Sequence, residues 1–100
     1  LVRSDFLREN RSPIGDFLKD HAESSQFTSG HPEEAAALIA AQGIVEKAPI
    51  AQKALPYCNI VCLTGQEMKD ALSGYLSILM EQDAKSIGGQ MPGDDFYYMP

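Results

Sequence analysis

Cys58 and Cys62, with His21 and His31 upstream, are the residue types of a zinc site. Their spacing does not suit one. Three residues separate the cysteines, at the edge of metal-ligand spacing, and no second close histidine pair accompanies them. On an extended chain the two cysteine α-carbons would stand about 13 Å apart, beyond disulfide reach; a helix or turn could bring them together. The reading is two free, mostly buried thiols. Nucleophilic catalysis needs a base, an orienting third group and an oxyanion site, and there is no Gly-x-Ser-x-Gly elbow. Glu33-Glu34 are adjacent, so on a helix they do not face one another, and they read as compensation of a helix dipole. Asp94-Asp95 read as the cap of a turn. Gly88-Gly89 lack the lysine, the spacing and the preceding strand of a phosphate loop. No catalytic residue and no metal ligand is assigned, no cofactor is expected, and the chain reads as a non-enzyme.

The elements that would position these residues are helical. Ser4 caps a short turn over Asp5 to Arg8, and Asn10-Arg11 break it. Ser12-Pro13 is a helix start, a hydroxyl cap followed by proline in the first turn. Ile14, Phe17, Leu18 and Ala22 then recur at helical spacing, and Ser29-Gly30 end the helix. His31-Pro32-Glu33-Glu34 open the next one, with Ala35, Leu38, Ile39 and Gln42 on its inner face; its alanine run lets neighbours approach closely. Lys47-Ala48-Pro49 start a short helix that Pro56 stops. Residues 57–63 are β-branched and aromatic and read as one short extended segment. Thr64-Gly65-Gln66-Glu67 form a capping box. Met68, Ala71, Leu72, Tyr75, Leu76, Leu79 and Met80 follow at amphipathic spacing, a stripe for a core or an interface. Gly74 interrupts it at a cost of about 1 kcal/mol relative to alanine, which close packing against another helix would explain. The helix is allowed to run on past Asp83 to Ser86. Gly88-Gly89 and Pro92-Gly93 then force a loop anchored by Phe96-Tyr97-Tyr98.

The totals agree with one modest helical domain of 100 residues, 44% of them hydrophobic. A net charge of −6 repels nucleic-acid phosphates and acidic membranes. The longest apolar run, Ala35 to Ala41, is far short of the about 20 residues a membrane span needs. The chain opens at Leu1, within what reads as an ordered segment, and is expected to be a piece of something larger.

Several strings carry a resemblance: His31-Pro32-Glu33-Glu34-Ala35-Ala36, Gly43-Ile44-Val45, Ile50-Ala51-Gln52-Lys53-Ala54-Leu55-Pro56 and Cys58-Asn59-Ile60-Val61. Gly65-Gln66-Glu67-Met68-Lys69, Lys85-Ser86-Ile87-Gly88-Gly89 and Pro92-Gly93-Asp94-Asp95-Phe96-Tyr97-Tyr98 continue it in order. Together they resemble the C-terminal part of extracytoplasmic solute-binding proteins of ABC importers, of the nitrate/sulfonate/taurine and thiamine-precursor-binding type. Leu1 to Thr28 resembles the region just before it. The chain departs from the pattern at Cys62, where an aromatic is common, and across Gln26-Phe27-Thr28-Ser29-Gly30.

The resemblance implies a two-lobed α/β parent whose lobes close on a small solute and which docks on a membrane permease, without catalysis. This chain would be its mainly helical C-terminal segment. The ligand-contact residues would lie mostly upstream, and none is assigned here. Exposed apolar faces imply self-association of the isolated piece. The alternative class is an independent all-helical interaction module that dimerises through the Met68–Met80 face.

Overall fold

In a computed structural model, residues 1–100 form five α-helices and no strand. They fall into two compact units, Leu1–Cys62 and Leu63–Pro100.

The first unit holds α1 (Ser4–Glu9), α2 (Arg11–Gly30), α3 (Pro32–Ala41) and α4 (Ala48–Ala54). Arg3, not Ser4, occupies the cap position of α1. Asn10 closes that helix, its backbone N–H and side-chain amide both donating to the Phe6 carbonyl. Helix α2 begins one residue before the expected Ser12 cap and has no side-chain cap. Pro13 is tolerated there because the first turn leaves its N–H groups without helical partners anyway. Pro32 and Pro49 sit in the first turns of α3 and α4, as expected from their sequence positions. Helix α4 ends at Ala54, just ahead of Pro56 as expected, and a 3-10 turn over Leu55–Tyr57 follows it. This corrects the first part of the extended reading of 57–63: Tyr57 ends the 3-10 turn, Cys58 is still helical in φ and ψ, and Asn59 is left-handed at φ 52°. After that turn, residues 59–64 carry no regular structure.

Helix α3 packs on α4 and on α2. The fully buried side chains of this unit are Ala35, Ala36 and Ala51. Leu38, expected inside, is 58% exposed. A contact made through alanine methyls brings two helices close and turns α3 so that its larger Leu38 faces outward. Along α2, Ile14, Leu18 and Ala22 are half-buried, while Phe17 is exposed.

The second unit is built on α5 (Gly65–Gln82). The capping box does not form, since Thr64 makes no side-chain cap hydrogen bond. Gly65 is left-handed at φ 60°, and the first backbone bond, Met68 N–H to the Thr64 carbonyl, is long at 3.4 Å. That entry angle carries the Thr64 hydroxyl away from the donors it would cap. Met68, Leu72, Leu76, Leu79 and Met80 are half-buried as their spacing implied, but Ala71 and Tyr75 are exposed. The helix ends at Gln82 rather than Ser86. Asp83 is extended (φ −156°, ψ 101°), and its carboxylate accepts from the Lys85 N–H to start a 3-10 turn over Ala84–Ile87. A second such turn, Asp94–Phe96, leads to Tyr97, the one large apolar side chain of the molecule that is buried. Phe96 packs edge-on against it at 5.2 Å but stays half exposed.

The burial is thin. Compact bodies of these two sizes, kept apart, would expose about 6,700 Å² together. The chain exposes 7796 Å². Contact between the units could only lower the total, so the excess does not depend on their arrangement.

Candidate functional site

The titratable residues singled out by type do not converge. His21 stacks on Phe17 one turn earlier, with ring centroids 5.9 Å apart, and His31 stacks likewise on Phe27 at 4.9 Å. No three of the histidine, cysteine, aspartate and glutamate side chains come together to hold a metal ion. Cys58 and Cys62 are both free thiols, but not the buried pair expected. Cys58 is exposed, its Sγ donating to the Ala54 carbonyl at 3.3 Å, and Cys62 is half-buried. The turn that brings Cys58 out of the core is the same one that displaced the extended segment. Glu33 and Glu34 lie exposed in the first turn of α3, where carboxylates favour the positive end of the helix dipole. The Gly88 and Gly89 amides donate to the Lys85 and Ala84 carbonyls, which leaves neither for a phosphate.

Asp94 does more than the turn role expected of it. Its Oδ1 accepts from Lys69 Nζ at 2.8 Å. The same ammonium lies 5.7 Å from the centroid of the Tyr97 ring. Hydrogen bonding and charge attraction from Lys69 hold the Asp94 carboxyl below its usual range. The reciprocal bond from Asp94 raises Lys69. The Asp94 side chain is 93% exposed, so the pair is a surface clasp holding the tail to α5 rather than a buried charge site. The sequence did carry a signal for it: Lys69 is the sole basic residue of α5, and the tail bears the carboxylate pair.

A cavity of about 310 Å³ lies within the first unit, where the end of α2 meets the turn after α4. Pro32, Leu55, Pro56 and Ile60 form its apolar walls, and Thr28, Ser29 and Asn59 supply its polar groups. The Thr28 hydroxyl is already committed to the Ser24 carbonyl at 2.8 Å. Ser29 and Asn59 side chains make no hydrogen bond within the protein. No charged residue lines the space. Sequence reasoning missed it because it depends on Asn59 turning left-handed, which a β-rich string disguises. It has the size of a small ligand pocket, and its lining holds no acid or base to activate the Thr28 or Ser29 hydroxyl. No known protein family, curated protein or solved structure matches the chain.

Proposed function

We propose that the chain is the helical C-terminal segment of an extracytoplasmic solute-binding protein that delivers a small molecule to the permease of an ABC importer. The observation that carries this is the ordered run of strings from His31 to Tyr98. Each has a scaffold role: a proline-started helix at Pro32, the turn at Leu55–Tyr57, the entry to α5, the left-handed glycines and the anchored tail. A scaffold segment of a two-lobed binder needs no catalytic group. Its parent works by differential affinity of open and closed states for the solute.

The surface supports the reading. Fifteen large apolar side chains are exposed, among them Phe17, Leu38 and Ile44 in the first unit and Tyr75 and Ile78 on α5. Packing on another lobe would cover part of this apolar surface. The sequence encoded immediately upstream of Leu1 tests the proposal. It is expected to continue into an α/β lobe led by a secretion signal, with permease and ATPase genes adjacent. A stop codon followed by an initiator next to Leu1 would overturn it.

A second reading, an independent dimerisation module, rests on the bare face of α5 formed by Ala71, Gly74, Tyr75 and Ile78. Glu67, Asp70 and Glu81 are exposed on the same helix, and its single basic residue is held by Asp94. A second copy would bring like charges to this face as well as a further net −6, which favours the first reading.

A further inference from the structure

We propose that the cavity between the end of α2 and the turn after α4 is a binding site for a small uncharged molecule bearing an amide or hydroxyl edge. The inference goes beyond the solute-binding reading, in which solute contacts lie outside this chain, and does not depend on it.

Three features select the ligand class. First, the lining holds no charge in a chain with 22% charged residues. The cleft is partly open, with Ser29, Pro56 and Asn59 exposed at its mouth; a carboxylate settling against its apolar walls would shed part of its hydration with no cation in return, and an ammonium would meet no anion. Second, the two uncommitted polar groups are complementary. Asn59 offers both amide donors and a carbonyl acceptor, and Ser29 offers a hydroxyl that does either. An amide or alcohol edge can satisfy both. Third, the frame is fixed. Pro32 and Pro56 stiffen two walls, and Asn59 is held in the left-handed region that non-glycine residues seldom occupy. Asparagine tolerates this conformation best of the polar residues with such reach, and strained backbone of this kind gathers at ligand sites. Leu55, Pro56 and Ile60 would receive the apolar body of the ligand. At about 310 Å³ the space suits a molecule at the small end of the ligand range.

The test is amide NMR of the full chain titrated with three probes of one shape: isobutyramide, isobutyrate and isobutylammonium. Saturable shifts are expected at Thr28, Ser29, Asn59 and Ile60 with isobutyramide, with an affinity about tenfold or more above either ion, a gap of about 1.4 kcal/mol. Ile60→Trp fills the cavity and should remove the response. Should that variant fail to fold, Ser29→Ala and Asn59→Asp take its place, each expected to weaken isobutyramide several-fold while leaving the helical circular dichroism intact. No saturable shift, equal response to all three probes, or an unchanged response in these variants overturns the proposal.

Discussion

Replacing Gly74 with alanine should stabilise this chain. Gly74 lies in the middle of α5, with ordinary helical backbone, and a methyl built on it meets no atom within 4 Å. Nothing therefore opposes the helix-propensity gain, which is about 1 kcal/mol for glycine to alanine in a helix interior. Part of that gain comes from the narrower unfolded ensemble and is not an extra term. For a chain of this length with ordinary unfolding entropy it raises Tm by about 4–8 °C. Urea unfolding followed by circular dichroism at 222 nm should show a higher midpoint at unchanged slope. Gly15→Ala in α2, equally open, is a parallel case, whereas Gly88→Ala should destabilise by about 1–2 kcal/mol because its φ of 84° suits only glycine. A lower midpoint for Gly74→Ala in the isolated chain would refute the reasoning, since it would mean that something already packs against that face. In a complete protein whose other lobe covers α5, the same substitution should lose its benefit or reverse sign.

Asp94→Asn should loosen the tail, read as faster exchange of the Tyr97 and Tyr98 amides at low salt, with little change once salt screens the pair. The pH dependence follows from the two shifts. Asp94 is depressed when folded, so its contribution is present above the ordinary 3.8 and lost as pH falls through the lower folded value. Lys69 is raised, so its contribution is present below 10.5 and lost as pH rises through the higher folded value; Tyr97 amide protection should hold a plateau between these limits, and its absence would remove the clasp. In native buffer both thiols should react with a disulfide reagent, Cys58 first, and a native chain unreactive at Cys58 would contradict its exposure. Light scattering of the isolated chain should show mass rising with concentration as the uncovered apolar side chains associate, more strongly in salt that screens its net charge; a monomer throughout would count against exposed docking surface.

The helix starts were legible where covalent chemistry fixes them. Within a helix Pro32 and Pro49 fit without breaking it only in the first turn, and that is where they lie. The α5 stripe was legible because a long period averages over local error, and five of its seven residues are half-buried. What failed were features decided by single dihedrals. Left-handed Gly65 undid the capping box, and extended Asp83 ended α5 a turn early. The helical turn at 57–58 and left-handed Asn59 replaced the start of an extended link with a cavity wall. The inner face of α3 slipped because the side chain that packs closest, Ala36, is the one hydrophobicity ranks below Leu38. The cavity was illegible for a second reason besides the Asn59 dihedral: it joins residues some thirty positions apart, and no spacing rule links Thr28 to Asn59.

The alanine contact between α3 and α4 has a calorimetric consequence. Heat capacity rises on unfolding in proportion to the apolar area newly wetted, about 1.2–1.5 kcal/mol/K for an ordinary domain of 100 residues. Methyl groups on Ala35, Ala36 and Ala51 hide little such area, and beyond them only Tyr97 is buried. The isolated chain should therefore melt with a smaller heat-capacity step, over a broader range, on a flatter stability curve. Cold would weaken it less than most domains of its length, because the force that fades on cooling is a smaller share of what holds it together.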